Sequence, residues 1–99
     1  MRKSDGTTPM YTTVTGYPLT VTSTPTLGST LSASLGANPA LSARIINTSA
    51  NTVWYGSTND TSKMVPVTTG TERFLLIEQP GTLYFYAASN SDIILECYR

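Results

Sequence analysis

The residues able to do chemistry in this 99-residue chain are few. It has no histidine, a single cysteine (Cys97) and six acids: Asp5, Asp60, Glu72, Glu78, Asp92 and Glu96. Without an imidazole there is no Ser-His-Asp or Cys-His relay, and the usual zinc donor sets are missing. The acids show no spaced calcium-loop pattern, and Asn59-Asp60 alone does not make a metal site. A carboxylate pair of the glycosidase kind needs a cleft, for which a domain of this size has little room. Cys97 follows Ile93 and Leu95 in alternation, so it reads as an inward thiol serving as a small hydrophobe, with no basic neighbour to activate it. The expectation is a protein that is not an enzyme and has no catalytic residue, no cofactor and no metal.

What remains for function is binding, and the residues suited to it are aromatic. Tyrosine and tryptophan combine a large apolar ring with a polar tip, which fits a surface covered on association. They lie in runs of strand-forming residues: Ala43-Arg44-Ile45-Ile46, Thr52-Val53-Trp54-Tyr55, Phe74-Leu75-Leu76-Ile77, Leu83-Tyr84-Phe85-Tyr86 and Ile93-Ile94-Leu95. A strand sends alternate side chains to opposite faces, so a half-exposed sheet alternates apolar with polar residues. Several of these runs are apolar on both faces. Parity assigns Leu83, Phe85, Ala87, Ile93, Leu95, Cys97, Val53 and Tyr55 to the core. The opposite parity leaves Trp54, Tyr84, Tyr86, Ile94 and Tyr98 as one outer patch. The competing reading packs those five beneath loops or the N-terminal segment as part of a two-layer core.

The elements that must position these residues are short strands. Tyr17–Thr22 alternates Leu and Val with Thr and reads as a first strand, with Pro18 at its start or on an edge. In 26–35, Leu27, Leu31 and Leu35 recur at helical spacing, but Gly28, Thr30 and the serines oppose a helix, so strand or irregular structure is expected. A strand over 41–47, a loop over 48–51 and a return strand over 52–56 read as a hairpin. Residues 57–63 are a polar loop, and Met64–Val67 is an edge strand or extended bridge because of Pro66. A strand over 72–78, a turn at Gln79-Pro80-Gly81 and strands over 82–88 and 92–98 follow, the last two reading as a final hairpin. This predicts one all-β domain, a small antiparallel β-sandwich of jelly-roll or Ig-like type over 17–99, with an extended N-terminal arm over 1–16. Met10, Tyr11 and Val14 are the apolar residues of that arm, placed to order on a partner.

Composition narrows the partners. The net charge is +0, only 12% of residues are charged, and the six Lys and Arg are scattered beyond Arg2-Lys3, so nucleic acid is not expected. Met1-Arg2-Lys3 is followed by Ser4-Asp5-Gly6 instead of an apolar segment, and no stretch approaches the length of a membrane span. The chain is expected to be soluble, made in a reducing cytoplasm and free of intramolecular disulfides. The glycosylation patterns at Asn47-Thr48-Ser49 and Asn59-Asp60-Thr61 read as turn chemistry.

The stretch Arg44–Ser57 is similar to a pattern of small tailed-phage virion proteins, in which a strand ending in Asn leads through a short loop to a strand ending V-x-x-G. The continuation Val65-Pro66-Val67, Gly70-Thr71-Glu72 and Gly81-Thr82-Leu83-Tyr84-Phe85-Tyr86-Ala87 also resembles those proteins, over about residues 41–98 in all. The resemblance to head decoration (cement) proteins implies a structural protein on the outside of a phage capsid, made in the host cytoplasm. It also implies contacts with the major capsid protein and self-association, with a trimer the expected state. Trp54, Tyr84, Tyr86 and Tyr98 would be its aromatic anchors. The alternative is a receptor- or glycan-binding module of a head fibre or tail, with aromatic rings stacked on sugars.

Overall fold

A computed structural model describes residues 13–36 and 38–99. Among these described residues there are eight strands: β1 (Val14–Val21), β2 (Thr26–Leu27), β3 (Ser42–Asn47), β4 (Val53–Gly56), β5 (Val65–Val67), β6 (Glu72–Leu75), β7 (Tyr84–Ala87) and β8 (Ser91–Tyr98). They form two antiparallel sheets of four, with orders β1-β8-β3-β6 (sheet A) and β2-β7-β4-β5 (sheet B). The predicted all-β sandwich is therefore what the chain forms.

The strand pairs β1–β8, β2–β7, β3–β6 and β4–β5 are those of one long antiparallel hairpin with its tip between β4 and β5. Folding that hairpin over adds the pairs β3–β8 and β4–β7 and splits it into two facing sheets. This is the jelly-roll connectivity, so of the two expected sandwich types the strand order selects the jelly roll. Every connection except β4–β5 passes from one sheet to the other.

That topology corrects two expectations. The segments read as hairpins over 41–56 and 82–98 are arches. β3 and β4 lie in opposite sheets, and so do β7 and β8. A short polar loop between two strands reads the same whether the second strand turns back beside the first or crosses to the facing sheet. The first strand also begins earlier than expected. Val14-Thr15-Gly16 already pairs with Tyr98-Cys97-Glu96, and Thr13 and Arg99 exchange backbone hydrogen bonds of 3.0 and 2.9 Å. The sheet therefore takes in the last residues assigned to the arm.

The core lies between the sheets. β1 contributes Tyr17, Leu19 and Val21; β3 contributes Ala43 and Ile45; β8 contributes Ile93, Leu95 and Cys97. Val53, Val67, Phe85 and Ala87 face them from sheet B, with Tyr55 packed against the cluster. Complete burial of a side chain the size of Ile45 or Phe85 contributes about 1.5–3 kcal/mol. The parity assignments made from sequence hold here. The expectation of strand or irregular structure over 26–35 holds at Thr26–Leu27, a strand, but not at Gly28–Leu31, which forms a single helical turn, α1. Leu35 is buried and Leu31 packs on the core. The turn stops at Ser32, whose backbone is extended, in keeping with the poor helix propensity of this stretch.

Buried polar groups fasten the arches. Asn47 is 1% exposed, and its amide donates to the carbonyls of Asn51 and Val67, each at 2.8 Å. Its side-chain oxygen accepts from the Ser49 backbone (3.0 Å) and hydroxyl (2.7 Å). Asn51 donates to the Ser91 hydroxyl at 3.1 Å, and that hydroxyl donates to the Ser89 carbonyl at 2.8 Å, tying the β3–β4 and β7–β8 arches together. Asn47 is thus a structural amide, as its turn reading implied. At the second pattern, Asn59-Asp60-Thr61, also read as turn chemistry, Asp60 caps a 3-10 turn over Thr61–Lys63 by accepting from Ser62. The turn at Pro80–Thr82 needs glycine, because a Cβ on Gly81 would stand 2.1 Å from the Gly36 carbonyl oxygen.

Candidate interaction surfaces

Each sheet has an outer face, and the two differ in chemistry. In sheet B, Phe85 and Ala87 point into the core, so Tyr84 and Tyr86 point out. Trp54 lies directly opposite Tyr86 on one side and Pro66 on the other, while Tyr84 lies between Leu27 and Gly56. Directly opposed side chains on one face of a sheet are about 4.5–5.5 Å apart at Cβ. Trp54 and Tyr86 are thus cross-strand neighbours on this face, with Tyr84 two residues along the same strand. All three are half-buried. The outward positions of these four strands carry no charged residue.

In sheet A the outward residues are Val14, Gly16, Pro18 and Thr20 of β1; Asp92, Ile94, Glu96 and Tyr98 of β8; Ser42, Arg44 and Ile46 of β3; and Glu72 and Phe74 of β6. Register sets Glu96 beside Arg44, and the guanidinium bonds Glu96 at 2.7 Å and Glu72 at 3.0 Å. The Tyr98 hydroxyl donates to the same Glu96 carboxylate. That bond first, and Arg44 second, holds the Glu96 carboxyl below its ordinary range against the opposing effect of burial. The Tyr98 ring lies 6.0 Å from that of Phe74, which is 52% exposed.

The single patch expected from parity is therefore two surfaces. Trp54, Tyr84 and Tyr86 come together on sheet B, whereas Ile94 and Tyr98 lie on the opposite side of the molecule with Val14, which is 56% exposed. Parity gives inside or outside but not which sheet a strand joins, and β7 and β8 join different ones. Met10 and Tyr11 lie outside the described residues. Sequence reasoning missed Leu27, Pro66, Phe74 and the Arg44–Glu96–Glu72 cluster. Cross-strand register brings these together, and Phe74-Leu75-Leu76-Ile77 is apolar at every position, so its parity carried no signal.

Among the described residues no cavity forms, and no three metal-ligating side chains converge. Where two carboxylates approach one another, Arg44 occupies the space between them. Cys97 is buried, and burial raises its thiol pKa more than Arg99 lowers it, which keeps the thiol protonated and unreactive. Comparison with known protein families, with curated proteins and with solved structures returns no match.

Proposed function

We propose that this jelly roll is a structural assembly protein that docks through the outer face of sheet B, acting as a decoration protein on a phage capsid. The observation that carries the docking reading is the aromatic face itself: Trp54 opposed to Tyr86 and flanked by Pro66, with Tyr84 beside them and no charge at the outward positions. Uncharged, half-buried aromatics on an open sheet suit a protein partner that removes the remaining water, with Trp and Tyr as anchors. The phage setting rests on the resemblance of residues 41–98 to small virion proteins. The mechanism is additive burial: each copy bridges capsid subunits with modest area, and many copies on one lattice convert weak contacts into avidity.

Trp54 is the chain's only tryptophan, so its fluorescence reports this face directly. Added to mature capsids of the cognate phage, the protein should co-sediment and its emission should shift to the blue. Trp54→Ala and Tyr86→Ala should each weaken binding by roughly tenfold or more, the scale of an interface anchor, while the free protein stays folded. Binding undiminished in both variants, or no co-sedimentation at all, would refute the reading.

A further inference from the structure

Among the described residues the two sheets have four edge strands, and three of them are blunted. β1 lacks a donor at Pro18, β2 is two residues long, and β5 is three residues long with Pro66 in its middle. Proline and shortness are two ways in which proteins keep a sheet edge from pairing with another chain. β6 has neither proline nor glycine, and it runs on into Leu76-Ile77. Its backbone polarity follows from its register on β3. The Thr71 carbonyl accepts from the Asn47 N–H at 3.0 Å, and Arg73 and Leu75 lie opposite Ile45 and Ala43. In an antiparallel ladder this alternates, so Arg73 and Leu75 bond β3 while Glu72 and Phe74 turn their N–H and C=O groups to the open edge. Leu76, the next residue in that series, makes no backbone hydrogen bond among the described residues and is 88% exposed. The Arg73 guanidinium reaches the Pro66 carbonyl at 3.3 Å, so β5 runs alongside β6 on this rim and adds the exposed Val65 to Phe74 and Leu76.

We propose that this rim pairs with the same rim of a second copy, β6 against β6, antiparallel about a two-fold axis at Phe74. The edge is complementary to itself in that register. Phe74 meets its own counterpart and exchanges two backbone bonds with it, and Glu72 meets Leu76 of the second copy in the same way. The open residues are all even-numbered, so a register that sets an even residue opposite an odd one aims open groups at groups already bonded to β3. Charge decides among the remaining registers. An axis at Arg73 sets Arg73 against Arg73, and an axis at Leu75 sets Glu72 against Glu78. Like charges directly opposite are destabilising. The axis at Phe74 opposes apolar rings and leaves Glu72 drawn to Arg44 of its own copy, 3.0 Å away. The two sheets A then continue as one sheet of eight strands. Because the axis stands perpendicular to that sheet, both aromatic faces of sheet B point the same way, which makes the pair bivalent. That last consequence rests on the docking reading of sheet B; the pairing itself does not.

Sedimentation velocity and residue-resolved amide exchange on the full chain, without capsids, test this. The protein should sediment as a dimer at about 100 μM. As concentration rises into that range, the Glu72 and Phe74 amides should slow by roughly tenfold or more while that of Thr20, on the β1 edge, does not change. Phe74→Lys places two like charges at the axis and should weaken dimerisation by roughly tenfold or more. Leu76→Lys should do the same, and because Leu76 lies beyond the ladder and is almost fully exposed, it keeps the test open if Phe74→Lys does not fold. A monomer at every concentration up to about 100 μM would overturn the proposal. So would a dimer indifferent to both substitutions, or one that protects Thr20 instead of Phe74. Failure of capsid binding with the dimer intact would count against the docking reading alone.

Discussion

Asn47 sits where the chain leaves sheet A for sheet B, and it is the residue whose chemistry most constrains the fold. Both of its amide protons and its carbonyl are used inside the protein, on Asn51, Val67 and Ser49. Removing the amide strands those groups in a buried site, so Asn47→Ala should cost about 2–3 kcal/mol, read as a lower urea midpoint with an unchanged slope. Glu96 makes a pH prediction. Its carboxyl is held below the ordinary value of 4.5 by Tyr98 and Arg44, so folding favours the ionised form. The resulting stabilisation is complete above that ordinary range and is lost as pH falls through the folded-state pKa. Glu96→Gln should flatten the dependence of thermal stability on pH in that acid window, and an undiminished slope would show that another group is responsible.

The arch is the element that distinguishes this sandwich from a stack of hairpins. Because β7 crosses from β6 in one sheet to sit between β2 and β4 in the other, Phe85 becomes the large side chain at the centre of sheet B's inner face. Phe85→Ala should destabilise by about 3–5 kcal/mol in equilibrium denaturation. Tyr84→Ala, one residue away but facing out, should cost far less. The approach to β7 depends on Gly81, whose backbone passes the Gly36 carbonyl too closely for any side chain. Gly81→Ala should therefore lower stability by at least about 2 kcal/mol, because backbone on both sides must move. This element also shows the limit of reading by parity. Phe85 and Ala87 were legible as inward and Tyr84 and Tyr86 as outward, since that depends only on alternation. The sheet that receives them was not, because the Ala88-Ser89-Asn90 linker suits a hairpin and an arch equally.

At the scale of the molecule, the first strand and the last are neighbours: β1 pairs with β8, and β8 separates β1 from β3. Sheet A is therefore incomplete until the final residues are in place, and most of its pairing spans long sequence separations. Such topologies close many loops before contacts repay them, so refolding should fall in the millisecond-to-second range expected of all-β sandwiches, as stopped-flow Trp54 fluorescence would show. A microsecond phase carrying most of the amplitude would contradict that assignment of contact order. The sequence by itself determined the strands, most of their ends and the side each residue turns to the core, because β propensity, turn residues and two-residue alternation are local properties. It also determined the aromatic supply of Trp54, Tyr84 and Tyr86. Only the tertiary structure decided that these three share a face while Ile94 and Tyr98 lie behind it, and that Arg44 stands between Glu96 and Glu72. Those facts depend on which distant strands pair and in what register, and backbone hydrogen bonds, being alike for every residue, leave no mark of that choice in a single sequence.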